Sequence, residues 1–229
     1  MNAPLDLERA RFNMIEQQIR PWDVLDQDVL ALLSRMRRED FVPLAHRALA
    51  FVDMQIPLVG SAEDALQNGY CMLEPRVEAR MLQDVQLRGH EKVLEVGAGS
   101  GYMAALLGQR AGRVITLEIN LQIAAMARDN LQRAGATNVD VREADGAGGL
   151  PAESPFDVIV LSGSVAEVPP ALLSQLKIGG RLATVTGFEP VMRATFITRT
   201  GETTYTTAQP WDTWAARLQH FPEPSRFTF

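Results

Sequence analysis

The chain has 229 residues, of which 46% are hydrophobic, and its 28 Asp and Glu against 22 Lys and Arg give a formal net charge of −6. This length fits one large or two small domains, and the apolar fraction allows a substantial core. The acidic balance disfavours a nucleic-acid partner, because phosphate binding needs clustered Lys and Arg. The nearest basic cluster, at residues 35–38, is followed at once by Glu39 and Asp40, so we interpret it as a solvated helix end.

A single cysteine, Cys71, excludes an intramolecular disulfide and any multi-cysteine metal site. The three histidines, His46, His90 and His220, have no ligand spacing, so we expect no metal site. The first residues do not form a secretory signal, and no apolar run approaches the roughly 18 residues of a membrane span. We therefore expect a soluble, cytoplasmic protein without membrane association.

Helical spacing predicts three helices in the first part of the chain. The first covers about residues 7–19 and is ended by Pro21, the second follows Asp26 as its N-cap, and the third covers residues 75–87. Between the second and third helices, residues 41–70 contain several prolines and glycines. We expect this segment to form loops over the main domain, where they could carry specificity.

From residue 92 onward, predicted strands and helices alternate. The predicted strands are 93–96, 114–117, 139–142, 156–161 and 181–186, and the helices between them begin at 102, 121 and 170. Repeated βα units predict a parallel sheet with helices on both faces, and residues 194–200 and 203–207 predict an antiparallel hairpin at one edge. We expect a single α/β domain with a mostly parallel seven-stranded sheet, in which residues 1–88 form a helical and loop extension packed on a core of residues 89–229.

The most informative stretch is residues 93–102, where a buried strand meets a glycine-rich loop and then a helix. Gly97, Gly99 and Gly101 let the backbone turn sharply and approach a ligand where a Cβ would clash. Twenty-one residues after Gly97, a second strand leads to Glu118, whose carboxylate can accept both hydroxyls of a ribose. The alternative for the glycine-rich loop is a tight turn without a ligand. The alternative for Glu118 is a solvated acid at a helix N-terminus.

Glycine spacing and charge distinguish the candidate ligands of this loop. A dinucleotide fingerprint is G-x-G-x-x-G, whereas the third glycine here comes one residue early. A pyrophosphate also favours positive charge, yet Glu95 precedes the turn and residues 95–109 contain no Lys or Arg. An acidic mouth suits a cationic ligand without phosphate, such as S-adenosylmethionine (SAM). The loop is therefore more typical of a SAM-dependent methyltransferase than of a dehydrogenase.

With these elements the chain resembles the class I SAM-dependent methyltransferases, and among them the protein-L-isoaspartate O-methyltransferases. The resemblance covers nearly the whole chain and is carried by residues 14–20 (MIEQQIR), 41–43 (FVP), 93–102, 145–146 (DG), 155–160 (PFDVIV), 168–169 (VP) and 176–182 (LKIGGRL). It implies a Rossmann-like fold, SAM as the cofactor, and methylation of the α-carboxyl of isoaspartyl residues in proteins or peptides for protein repair.

The resemblance also implies a cofactor site. Its expected residues are Glu95, Gly97, Ala98, Gly99, Gly101, Glu118, Ala144, Asp145 and Gly146. By resemblance the three loop glycines approach the methionine end of SAM, Glu118 holds the ribose, and Asp145 faces the adenine amino group with Ala144 beside the ring. The alternative for Asp145 and Gly146 is an ordinary turn, since Asp-Gly is among the commonest turn dipeptides.

The acceptor motif departs from the family. Members carry Thr-Ile-Ser-Gln-Pro or a close variant with a hydroxyl that contacts the acceptor carboxylate, whereas this chain has Cys71, Met72, Leu73, Glu74 and Pro75. Cys71 stands at the threonine position and Leu73 at the serine position. Glu74 would repel an anionic acceptor unless it points outward or is paired. An alternative is that this run packs beneath a flap without contacting the acceptor.

Two serines are candidate replacements for the lost hydroxyls. Ser162 and Ser164 are expected in the loop after the strand 156–161, and the alternative is simple solvation of that loop. Methyl transfer to a carboxylate needs no general base, because the acceptor is already ionised at pH 7. One lost hydrogen bond to a charged group costs about 1.5–3 kcal/mol, or roughly tenfold to a hundredfold in rate. The departure therefore weakens the reaction without forbidding it.

Three functions stay open at this point. The first is isoaspartyl methylation, and the second is methyl transfer to a less anionic acceptor in an apolar pocket of Met54, Met72 and Leu73. The third is a non-catalytic binder of SAM or S-adenosylhomocysteine, which the fold alone does not exclude. The aromatic C-terminus, residues 211–229, is expected to cover the sheet or the hairpin, with a dimer surface as the alternative. The chain is accordingly expected to be a monomer or a homodimer.

Overall fold

The protein is described by a computed structural model that covers residues 6–223. Its strands are β1 (Ile56–Pro57), β2 (Cys71–Met72), β3 (Lys92–Val96), β4 (Arg113–Glu118), β5 (Val139–Glu143), β6 (Phe156–Val165), β7 (Leu176–Phe188), β8 (Val191–Arg199) and β9 (Tyr205–Thr213). Its α-helices are α1 (Leu7–Met14), α2 (Gln27–Arg35), α3 (Ala62–Asn68), α4 (Pro75–Asp84), α5 (Tyr102–Arg110), α6 (Leu121–Arg133) and α7 (Pro170–Leu173).

The main sheet has the strand order β5-β4-β3-β6-β7-β8-β9. The five strands from β5 to β7 run parallel, and β8 and β9 continue the sheet as antiparallel strands at one edge. This arrangement confirms the predicted seven-stranded α/β fold. The right-handed crossovers that βα units require place helices on the two faces of such a sheet.

Two hydrophobic clusters cover the two faces of the sheet. Along β3, Val93 belongs to the cluster that contains helices α4 and α5, and Leu94 belongs to the cluster that contains α7. Both side chains are fully buried. Each such side chain contributes roughly 1.5–3 kcal/mol through removal from water, which explains why the central strands are almost continuously apolar.

The N-terminal helix differs from its prediction. The regular α-helix ends at Met14, and the chain continues as a π-helical turn at Ile15–Ile19 and a 3₁₀ turn at Arg20–Trp22. Pro21 therefore lies within a helical turn, and the turn ends at Asp23, whose φ is 60°. Proline is tolerated there because the first residues of a turn have no intrahelical partner for their N–H groups.

Part of the predicted loop region 41–70 is a helix. Helix α3 is N-capped by Ser61, whose hydroxyl accepts a hydrogen bond from the Asp64 N–H at 3.1 Å, and it ends at Gly69 with a φ of 72°. Strand β1 then pairs antiparallel with β2, with Ile56 opposite Met72. The prediction of loops was wrong for these residues. The helix between the Ser61 cap and the Gly69 terminus has only two turns, which is too short to show a clear helical spacing in the sequence.

The basic cluster at 35–38 is also not simply solvated. Arg35 and Arg37 are exposed, but Arg38 is fully buried and forms an ion pair with Glu78. Arg38 also donates hydrogen bonds to the carbonyl oxygens of Ala50 and Leu73, at 3.0 and 2.6 Å. A buried guanidinium requires such partners, and here they join four separate segments of the N-terminal half.

Strand β6 is longer than predicted and ends at Val165. Ser162 and Ser164 therefore lie within the strand, and the expectation that they lie in the following loop was wrong. The pairing of β6 with β7 has an irregularity between Val160 and Ser164, and β7 itself runs on to Phe188. The end of β6 stays in the sheet because Ser164 and Val165 pair with Val185 and Thr186 of β7.

Gly101 begins helix α5 and offers a direct test of how this helix packs. Its φ is +83°, and a Cβ there would lie 3.2 Å from both the Ala127 carbonyl oxygen and the Leu131 side chain. We expect Gly101→Ala to lower the free energy of unfolding by about 1–3 kcal/mol in urea denaturation. Gly135→Ala is the control, because Gly135 has a φ of +69° but no atom within 4 Å of its Cβ position. An equal loss in both variants would contradict the tight contact between α5 and α6.

Candidate functional site

A cavity lies at the carboxyl ends of β3, β4, β5 and β6. It encloses about 550 Å³ of space, part of it open to solvent. Its lining residues come from these strand ends, the segment before β2 and the C-terminus: Leu58, Asn68, Gly69, Tyr70, Cys71, Val96, Gly97, Gly99, Leu117, Glu118, Ile119, Ile123, Ala144, Asp145, Gly146, Ser162, Arg217, Leu218, Gln219 and Phe221. Ligands of open parallel sheets bind at this edge.

The glycine-rich loop forms one wall of the cavity with its backbone. Gly97 has a φ of +89°, and a Cβ there would lie 2.9 Å from the Leu218 side chain. The N–H groups of Gly97 and Ala98 both donate to the Leu117 carbonyl oxygen, at 2.8 and 3.1 Å. The loop is therefore fixed to the end of β4. Ala98 is buried and, like Gly101, is not among the lining residues.

Glu118 connects β4 to the glycine-rich loop. One carboxylate oxygen accepts a hydrogen bond from the Gly99 N–H and the other accepts one from the Asn120 N–H, both at 3.0 Å. Burial raises the pKa of Glu118, although these backbone N–H groups act against that rise. Each oxygen keeps a lone pair, so the carboxylate can still accept two hydroxyl groups from a ribose in the cavity.

Asp145 also lines the cavity and lies in the turn after β5. Its carboxylate accepts a hydrogen bond from the Ala147 N–H at 3.0 Å and contacts His220 Nδ1 at 2.8 Å. Desolvation opposes ionisation, but the Ala147 N–H and His220 together lower the pKa of Asp145. Ala144 and Gly146 line the cavity beside it, and a Cβ on Gly146 would overlap the Val96 side chain. These groups could hold an adenine ring and its amino group.

Glu95 lies beneath the cavity and is not among the residues that line it. It is fully buried, and its two oxygens accept hydrogen bonds from the hydroxyls of Ser162 and Thr116, both at 2.6 Å. Burial raises its pKa to about 8, although the two hydroxyls act in the opposite direction. Ser162 therefore separates the Glu95 carboxyl from the cavity, and the acidic groups at the mouth are Glu118 and Asp145.

The acceptor-motif residues separate into different environments. Cys71 lines the cavity and donates its thiol hydrogen to the Gln55 side-chain oxygen at 2.9 Å, and burial raises its pKa to about 12. The thiol is therefore protonated and already engaged. Met72 and Leu73 are buried in the core instead of lining the cavity. Glu74 is partly buried, its pKa is raised by that burial, and it accepts a 3.4 Å hydrogen bond from Gln55.

The apolar acceptor pocket expected for a different methyl acceptor does not form. Met72 and Leu73 face the core, and Met54 has 38% of its surface exposed. None of the three lines the cavity.

The C-terminal segment, residues 214–223, closes one side of the cavity. Ser164 of β6 donates its N–H to the Ala216 carbonyl at 2.8 Å and accepts from the Leu218 N–H at 2.9 Å, which forms a parallel bridge. This bridge brings Arg217 and its neighbours to the cavity. Sequence reasoning did not find these lining residues or the contact between His220 and Asp145. Ser164 itself is fully buried and does not line the cavity.

The aromatic residues of the C-terminus partly follow their prediction. Trp211 packs edge-to-face on Trp22 with ring centroids 6.1 Å apart, and its indole N–H donates to Asp84 at 2.8 Å. Phe221 is buried in the cluster on the α7 face of the sheet. Phe227 and Phe229 lie outside the described residues.

A mostly parallel sheet with a glycine-rich loop after β3, Glu118 at the end of β4 and Asp145 after β5 around one cavity is typical of a class I SAM-dependent methyltransferase. The family model for Protein-L-isoaspartate(D-aspartate) O-methyltransferase (PCMT) matches residues 9–208. The chain therefore belongs to this family, as its sequence predicts.

A relative of high similarity agrees with this assignment, and two solved structures share the fold. The chain is 39% identical over 193 residues to a protein-L-isoaspartate O-methyltransferase of Koribacter versatilis, which covers 84% of this chain and 82% of the relative. A solved protein-L-isoaspartate O-methyltransferase superposes with a TM-score of 0.73 at 24% identity, over 91% of this chain and 64% of its own. A Plasmodium falciparum protein of the same description, solved with S-adenosyl-L-homocysteine, gives a TM-score of 0.72 at 18% identity, over 93% and 98%.

Among residues 6–223, none of the helices is both long and apolar enough to cross a membrane. Within the same range, the His, Cys, Asp and Glu side chains form no cluster of three or more that could hold a metal ion.

Proposed function

We propose that this protein transfers a methyl group from SAM to the α-carboxyl of isoaspartyl residues in damaged proteins or peptides, which opens a route back to aspartate. The observation that carries the proposal is the family match over residues 9–208 together with a cavity at the sheet edge where that family's cofactor residues converge. We also propose a cytoplasmic location, no nucleic-acid partner, and a monomer or homodimer.

The cavity residues fit SAM. Glu118 keeps two free lone pairs for the ribose hydroxyls, and Asp145 with Ala144 would hold the adenine. Gly97 and Gly99 line the cavity and carry no side chain, so the methionine end can approach the loop backbone. When bound, SAM would supply an electrophilic methyl group, whose bond to the positively charged sulfur breaks as the acceptor oxygen bonds in line to the methyl carbon.

The protein's own residues mainly position the reactants. A carboxylate acceptor is ionised at neutral pH and needs no base, whereas a phenol or amine acceptor usually does. Among the described residues that line the cavity, none is a histidine or lysine, and the Cys71 thiol is protonated. Glu118 and Asp145 also line the cavity, but the proposal assigns both to the cofactor, so these features favour a carboxylate acceptor over the alternative methyl acceptors.

A second candidate is a non-catalytic SAM or S-adenosylhomocysteine binder. It is favoured by one observation, the replacement of both acceptor hydroxyls by Cys71 and Leu73, of which Leu73 is buried in the core. The cavity and the family match support binding of the cofactor equally well under both proposals.

Transfer of a labelled methyl group separates these functions. The full chain is incubated with labelled SAM and either an isoaspartyl peptide or the same peptide with normal aspartate, and SAM binding is measured in parallel. We expect label on the isoaspartyl peptide alone. SAM binding without label on either peptide would favour the non-catalytic binder, and label on small molecules of a cell extract would favour a different acceptor.

Glu95 gives a pH-dependent prediction for cofactor binding. With a pKa raised to about 8, its carboxyl is neutral below that pH and negative above it. SAM and S-adenosylhomocysteine differ only in the methyl group and the positive charge on sulfur. The pH dependence of the ratio of their affinities therefore reports on that charge. We expect the ratio to increase in favour of SAM roughly threefold to tenfold between about pH 6.5 and about pH 9.5. Glu95→Gln should abolish the increase, and a constant ratio in the unmodified protein would contradict the prediction.

A further inference from the structure

An anionic acceptor faces an unfavourable cavity in this chain. Glu118 and Asp145 line it, so the local charge is negative. The two positions that carry hydroxyls in the family offer no free donor, because the Cys71 thiol is bound to Gln55 and Leu73 is buried in the core. Bringing a carboxylate into such a site requires a compensating positive group or hydrogen-bond donors.

Arg217 is the single Lys or Arg among the described residues that line the cavity. Its side chain is 26% exposed and is held in place from several directions. The guanidinium donates to the Ser164 hydroxyl at 3.4 Å and to the Gly187 carbonyl at 3.0 Å, and it lies 5.4 Å from the centre of the Phe188 ring. A guanidinium fixed in this way loses less side-chain entropy when it binds a ligand.

Arg217 already binds one carboxylate. Its Nε lies 2.8 Å from a carboxylate oxygen of Glu223, whose side chain is 48% exposed. A guanidinium has five N–H donors, and the contacts with Ser164, Gly187 and Glu223 use three of them. Two donors are left, and an ion pair with an exposed partner exchanges at little cost. The group can therefore take a second carboxylate or replace Glu223.

Arg217 also lies at the appropriate end of the cavity. Its carbonyl oxygen is so close to Gly69 that a Cβ on that glycine would lie 2.5 Å away, and the next residue, Leu218, packs on Gly97 and Gly163. The backbone at residues 217–218 is thus located between the segment that leads to Cys71 and the glycine-rich loop, and the guanidinium extends from it toward Ser164 and Gly187. Arg217 also lies beyond residue 208, where the family model match ends.

We propose that Arg217 binds the carboxylate of the methyl acceptor, in place of the hydroxyl pair that Cys71 and Leu73 replace, and so determines the preference for an anionic acceptor. This inference rests on the proposed function, because it names the group that recognises the acceptor of that same reaction. The arginine acts as a donor and a positive charge and takes no part in proton transfer.

Steady-state methyl transfer to an isoaspartyl peptide tests the proposal first. We expect Arg217→Met to raise KM for the peptide by roughly tenfold to a hundredfold, the effect of losing hydrogen bonds to a charged group, and Arg217→Lys to recover part of the loss. The SAM dissociation constant should stay within about twofold. Arg193→Met is the control, because Arg193 is half-exposed on β8 and pairs with Asp212 away from the cavity. An unchanged peptide KM in Arg217→Met would overturn the proposal.

Binding of two matched peptides separates recognition from a structural role. Calorimetry on protein saturated with S-adenosylhomocysteine compares the isoaspartyl peptide with the same peptide carrying an α-carboxamide. We expect the unmodified protein to bind the carboxylate peptide at least about tenfold more tightly, and Arg217→Met to bind both peptides equally. If Arg217→Met bound both peptides more weakly by the same factor, or lost S-adenosylhomocysteine binding, Arg217 would have a structural role and the proposal would be overturned.

The same calorimetry distinguishes failure of this inference from failure of the proposed function. If the unmodified protein does not methylate the isoaspartyl peptide, the proposed function fails. A carboxylate preference that disappears in Arg217→Met would then still support Arg217 as the site for an anionic ligand. If the unmodified protein shows no preference between the two peptides, the Arg217 proposal fails as well.

Discussion

Replacing Glu118 with alanine should raise the SAM dissociation constant by at least about 100-fold. Two charge-assisted hydrogen bonds to the ribose, each worth about 1.5–3 kcal/mol, would be lost together. The carboxylate also accepts the Gly99 N–H at 3.0 Å, so its removal takes away one of the hydrogen bonds that fix the glycine-rich loop to the end of β4. Equilibrium titration of SAM onto the purified variant measures the effect.

Glu143→Ala is the matched control for Glu118→Ala. Glu143 lies opposite Glu118 in the pairing of β4 with β5, but it is exposed and is not among the residues that line the cavity. Its replacement should change the SAM dissociation constant by less than twofold. Comparable losses in both variants would indicate that general negative charge, and not a specific contact with the ribose, is responsible.

Replacing Arg38 with methionine should lower the free energy of unfolding by about 3–5 kcal/mol. The change leaves the Glu78 carboxyl buried without its partner, and uncompensated buried charges have costs of this size. It also removes the hydrogen bonds to the Ala50 and Leu73 carbonyls, which hold the acceptor motif against the core. Urea denaturation followed by circular dichroism gives the free energy.

Two further variants identify the cause of that loss. Arg37→Met, one residue away, removes a side chain that is 61% exposed and should change stability by no more than about 0.5 kcal/mol. Combining Arg38→Met with Glu78→Leu removes the unpaired charge and should recover about 1–3 kcal/mol. No recovery in the double variant would mean that the backbone hydrogen bonds of Arg38, and not its ion pair, provide the stability.

The sheet could be predicted because its signals are local. Apolar runs such as 93–96 and 156–161 fit strands buried on both faces, and the helices between them repeat at helical spacing. The convergence of Gly97 and Glu118 also follows from chain order, since carboxyl ends of neighbouring parallel strands share one edge. Errors occurred where the local signal was short, as in α3, and where burial depended on a distant partner, as for Arg38.

The rest of the site depends on contacts that are remote in the sequence. His220 reaches Asp145 across 75 residues, and Arg217 reaches Ser164 across 53. Both belong to a segment that continues past the last strand without a repeating pattern. Its aromatic residues predict burial but not which surface they cover. The register between Ser164 and Arg217 is fixed by tertiary packing, which no periodicity reveals.

Conversion of an isoaspartyl peptide to the normal aspartyl peptide tests the proposed function most directly. The purified chain is incubated with the peptide and SAM, and chromatography follows both peptide forms over time, with S-adenosylhomocysteine in place of SAM as the control. We predict that the aspartyl form accumulates only with SAM, through methylation of the α-carboxyl. A peptide that stays in the isoaspartyl form, without methyl ester, while the protein binds SAM would contradict the proposed function.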